Sequence, residues 1–141
     1  MGSTAPPLVS KLNFLLAGWN EEPTVKLQEL LGQTSQEVTD RVKSLTQQLN
    51  QSCSNEVVVS QSNALYYKVL ETTLAKQASR GKPLANIIAK DSFHRSLFVC
   101  CAEVVVFSHG LHHAFPWIVD EFEMEVFDFF KVGKTFGSRN G

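Results

Sequence analysis

The sequence is poor in several of the features that most directly announce a function. Only three of its 141 residues are cysteine, and two of them, Cys100 and Cys101, are adjacent in an apolar run. That pattern excludes a disulfide framework and reads as reduced core thiols, as expected of a cytosolic or nuclear protein. Charge excess is also absent: 13 Lys and Arg stand against 14 Asp and Glu, for a net charge of −1. With no basic stripe either, there is no electrostatic case for direct nucleic-acid binding. No apolar run approaches the about 20 residues that a membrane span requires. The amino terminus, MGSTAPPL, has neither the basic n-region nor the apolar h-region of a signal peptide. Pro6 departs from the myristoylation pattern. No Gly-rich phosphate loop, nucleophile motif, internal repeat or low-complexity tract is present, and the length suits one domain.

What the chain does carry is a helical period. Residues 1–7 form a lead-in ending in Pro6 and Pro7. Leu8, Leu12, Leu15 and Leu16 then recur at helical spacing, with Gly18 placed to stop that helix. Val25, Leu27, Leu30 and Leu31 predict a short helix closed by Gly32. Thr34 or Ser35 is suited to cap a helix whose buried stripe is Val38, Val42, Leu45 and Leu49, with Glu37, Asp40 and Lys43 on the opposite face. Residues 47–61 are polar and irregular, and predict a loop despite the triplet Val57, Val58 and Val59. A long amphipathic helix follows over about residues 62–79 and is ended by Arg80, Gly81, Lys82 and Pro83. LANIIAK forms a short helix. Asp91 and Ser92 suit the start of the next one, because their oxygens accept orphan backbone N–H groups. From residue 97 to 107 every side chain except Glu103 is apolar, which predicts a central helix buried nearly all round. Gly110 breaks it, Pro116 fits the first turn of a further helix, and Phe127, Phe130 and Lys134 share one face of the last. The fold class is all-α, with the domain over residues 8–136 and a tail over 137–141.

The residues that draw the eye for chemistry have plainer explanations. His109 and His113 have i, i+4 spacing, but Gly110 lies between them and no acidic ligand stands at a matching interval. Cys100 and Cys101 point about 100° apart on a helix, so they do not converge on one ion. Glu103, with His94 and Arg95 upstream, hints at an acid–base pair; a carboxylate that is paired or on a narrow wet strip explains it better. No catalytic residue, metal ligand or cofactor is therefore expected.

Four blocks carry a resemblance. ALYYKVLE at residues 64–71, FHRSLFVCCAEVVVFS at 93–108, FPWI and FDFFKV occur in the order seen in the retinoblastoma pocket-protein family, in the A box of the pocket. LVSKLNFLLAG and DRVKSLTQQL continue the likeness upstream. The resemblance implies a helical cyclin-like fold and a nuclear, non-enzymatic scaffold of transcriptional and cell-cycle control. Its implied partners are the activation segment of E-two-factor transcription factors, repressor proteins, and a pocket B box. In that family, basic residues of box A hold acidic side chains of the activation segment. Arg41 matches the arginine of the family's RVK block and Lys131 the lysine of its FYKVIESF block. Lys134 stands where the family has an acid, at a position expected to help form the partner groove, and Gly133 replaces an isoleucine, loosening the helix by about 1 kcal/mol relative to Ala. The chain is expected to be an incomplete A box of about two thirds of the cyclin-like unit, with partner binding impaired in the absence of box B. Two other readings stand beside this one: a cyclin-box adaptor of a kinase or basal transcription complex, and a metal-dependent enzyme using the Cys/His-rich segment.

Overall fold

The computed structural model describes residues 7–111. In chain order these form α1 (Leu8–Leu15), α2 (Val25–Leu31), a 3-10 turn (Gly32–Thr34), α3 (Ser35–Cys53), α4 (Glu56–Ser79), α5 (Ala85–Ala89) and α6 (Asp91–Ser108). There is no strand among the described residues, and none of their helices is long and apolar enough to cross a membrane.

Local chemistry accounts for most boundaries. The Thr24 hydroxyl caps α2 by accepting from the Leu27 N–H at 3.0 Å, and donates to Glu71 on α4. Gly32 closes α2 with φ of 58°, a conformation that glycine adopts without strain. Thr34 does not cap α3 as expected: its hydroxyl donates back to the Leu31 carbonyl at 2.6 Å, which keeps the 3-10 turn attached to α2.

The clearest departure from expectation is at residues 47–61. They are helical apart from two residues. α3 runs on to Cys53 because the buried stripe Val38, Val42, Leu45 and Leu49 has one further member at i+4, Cys53. Ser54 then turns the chain in the left-handed region (φ 50°), and Asn55 caps α4 by accepting from the Val58 N–H at 3.1 Å. Val58 is fully buried while Val57 is half exposed. The valines thus sit on a helix, their strand propensity overridden by the burial of one of them.

The centre of the core is shared. Six consecutive residues of α4, from Ser62 to Tyr67, are buried, and α4 makes its most extensive packing against α6. A helix buried on every side over nearly two turns is the axle of the fold. α6, expected to be covered nearly all round, instead leaves a strip open: Cys100 and Glu103 are half-buried, Val104 is 43% exposed and Phe107 55%. Its start also differs. Lys90 occupies the cap position without a side-chain bond, and Asp91 is the first helical residue. Its carboxylate still favours the positive end of the helix.

Candidate functional site

Arg41 lies on α3 between Val38 and Val42, at the edge of the buried stripe, so its stem leaves the core and its head reaches the surface. There Nε is 2.9 Å from Oδ1 of Asp91, at the start of α6. The arginine side chain is 26% exposed and the aspartate 62%. Of the three basic residues implicated from sequence, Arg41 is the one the described residues include; Lys131 and Lys134 lie outside them, as do His112 and His113.

A buried polar relay joins α4, α5 and α6. The hydroxyl of Tyr66 on α4 is 2.6 Å from Nδ1 of His94 on α6, and Nε2 of His94 is 2.8 Å from the Ile88 carbonyl. A carbonyl only accepts, so Nε2 carries the proton and Nδ1 accepts from the tyrosine. His94 thereby satisfies an orphan carbonyl in the last turn of α5. Burial is the main cause that lowers its pKa to about 4; the Arg41 charge lowers it further, while the Ile88 bond and Asp91 oppose. Burial likewise pushes the Tyr66 hydroxyl well above its ordinary value. Phe98 (6.1 Å between centroids) and Tyr67 (5.6 Å) pack around Tyr66, and Phe93 stands edge-on to His94 at 5.3 Å. A neutral imidazole with both nitrogens engaged and no exposed surface holds three helices together and has no route to a substrate. In the sequence His94 stands out only as a polar group upstream of Glu103; its tyrosine partner, 28 residues earlier, has no local signal.

The other candidates are also structural. His109 follows α6, and its Nε2 is 2.6 Å from Oε1 of Gln61; Gln61 in turn donates to Asn13 of α1 at 2.8 Å. Burial pushes the thiols of Cys100 and Cys101 upward, keeping them protonated. Glu103 is half-buried, and its carboxyl is pushed up by the same cause. Among the described residues no three His, Cys, Asp or Glu side chains stand together as a metal-ligand set. Two open grooves, of about 730 and 480 Å³, adjoin along α4 and share Glu21, Ser60 and Gln61; neither is lined by Arg41 or Asp91.

Residues 2–136 match the Retinoblastoma-associated protein A domain. The chain is 33% identical over 152 residues to Retinoblastoma-like protein 2 of Mus musculus, an alignment covering 95% of this chain and 13% of that protein. Retinoblastoma-like protein 1 of Rattus norvegicus is 41% identical over 70 residues, covering 48% of this chain and 7% of that protein. A plant relative, Retinoblastoma-related protein 1 of Nicotiana tabacum, is 32% identical over 80 residues, 55% of this chain and 8% of its own. The chain therefore spans a small fraction of the length of these relatives. An all-α bundle, a family match over nearly every residue, and this identity across nearly the whole chain lead to one conclusion: the chain belongs to the retinoblastoma pocket-protein family, as a representative of its A domain.

Proposed function

We infer that this chain is a non-enzymatic docking module of nuclear transcriptional and cell-cycle control, its domain spanning residues 8–136, which binds the acidic activation segment of E-two-factor proteins together with a pocket B box. The observation that carries the reading is the position of Arg41: a guanidinium at the surface, on a stem fixed by α3, with a carboxylate already against it. A site that accepts one carboxylate has the geometry to accept another. By the family resemblance Lys131 would supply a second positive charge to the partner, and Lys134 a third where the family has an acid. The buried, fully engaged state of His94 and the protonated thiols also favour a scaffold over a catalyst.

The test is fluorescence anisotropy of a labelled E-two-factor activation peptide, with and without a separately prepared B box. Binding is expected only when the B box is present. Charge-assisted hydrogen bonds contribute about 1.5–3 kcal/mol each, so Arg41→Ala and Lys131→Ala should each weaken binding by about tenfold or more. Binding indifferent to both substitutions would overturn this reading.

A further inference from the structure

The pairing of Arg41 with Asp91 bears on how such a site is regulated. The two residues are 50 positions apart and on different helices, yet the carboxylate meets the guanidinium at 2.9 Å. We propose that Asp91 is an internal competitor for Arg41: it occupies the guanidinium in the free chain, and the carboxylate of an acidic partner segment displaces it. This inference rests on the reading that Arg41 receives a partner carboxylate.

Three features make the contact displaceable. Asp91 is largely exposed and Arg41 partly so, and an ion pair in contact with water is weak enough to open. Asp91 has a second source of stabilisation, since its carboxylate lies in the first turn of α6 and interacts favourably with the helix dipole whether or not Arg41 is present. Arg41 in turn keeps its position between the buried Val38 and Val42 when the pair opens, so the head is released and the stem stays. Opening therefore disturbs neither helix. Opening the pair forfeits the Arg41–Asp91 contact, and that loss is subtracted from what an incoming carboxylate gains on the guanidinium. Asp91 thus lowers affinity without altering the shape of the site. It also discriminates: a neutral segment gains nothing by displacing it, whereas an acidic one recovers the guanidinium contact.

The experiment is a double-mutant cycle on binding of the labelled acidic peptide, with the B box present, using the parent chain, Asp91→Asn, Arg41→Ala and the double variant. Glu56→Gln, at the far end of the α3–α4 pair, controls for the change of net charge, and far-ultraviolet circular dichroism verifies that each variant is folded. Asp91→Asn is expected to bind about two- to fivefold tighter than the parent at low salt, with the gain shrinking as salt screens the Arg41–Asp91 pair. That gain should vanish in the Arg41→Ala background and be absent in Glu56→Gln. If Arg41→Ala weakens binding but Asp91→Asn leaves it unchanged or weakens it, the competitor role is overturned and the docking reading stands. If the gain survives without Arg41, Asp91 acts through general charge and the competitor role is again overturned. If Arg41→Ala has no effect in either background, Arg41 does not receive the partner carboxylate and the competitor role is overturned; the docking reading falls with it only if Lys131→Ala is also without effect.

Discussion

Tyr66 and His94 show what a single buried pair determines. His94 is neutral in the fold because burial penalises its charged form, while in the unfolded chain it titrates near the ordinary value of 6.5. The folded value is the lower one, so between the two the unfolded state binds the extra proton. Stability should therefore be complete above about pH 6.5 and fall as the pH drops towards about 4, a loss on the order of 3 kcal/mol by linkage. Urea denaturation across pH 4–7 measures it, and His94→Gln should flatten the slope even though the variant is less stable overall. Tyr66→Phe has a different signature. It removes the hydroxyl and leaves the His94 Nδ1 buried without a donor, at a cost of about 1–3 kcal/mol at neutral pH. An unchanged midpoint in Tyr66→Phe would mean that the 2.6 Å contact contributes little.

At the scale of elements, the junction of α3 and α4 is short: two residues reverse a 19-residue helix into one of 24. Asn55 is the residue on which it depends, through its bond to the Val58 N–H. Asn55→Ala is expected to lower stability by about 1 kcal/mol, read as a shift of the urea midpoint without a change of slope. Ser54→Ala, which keeps the left-handed backbone but loses a side-chain bond to the Asn50 carbonyl, should cost less. This junction also shows where sequence reading loses resolution. The stripe from Val38 to Leu49 was legible as a helix, but its last member is a cysteine among glutamines and serines, and the next helix opens on three valines whose intrinsic preference is for strand. Both signals are local, and what decides the outcome is the burial of Cys53 and Val58 against other helices, which no local window contains.

Across the whole molecule, the legible part was the part written in periodicity: the helical class, the order of elements, and the glycines at 18, 32 and 110 that end segments. Pairings between segments distant in sequence were not legible. Arg41 with Asp91, Tyr66 with His94, and the sharing of the core between α4 and α6 join residues 28 to 50 positions apart, and none leaves a mark at either end. Gln61 is the residue in which that long-range order is most exposed to test. It donates to Asn13 on α1 and accepts from His109 at the end of α6, so one side chain of α4 joins two helices that also pack against each other. α1 buries only Leu12 among its own residues, with Leu16 just after it, and leaves Phe14 85% exposed, so it has little apolar burial to hold it if the polar link is lost. Gln61→Ala should therefore cost about 1 kcal/mol, as expected when one exposed and one part-buried hydrogen bond are removed together. Its effect should also be uneven. Amide hydrogen exchange is expected to accelerate over residues 8–16 and 105–110, while the buried stripe of α3 keeps its protection. Uniform acceleration would mean that Gln61 contributes only to global stability, and unchanged exchange in α1 would mean that its packing against α6 suffices without the link.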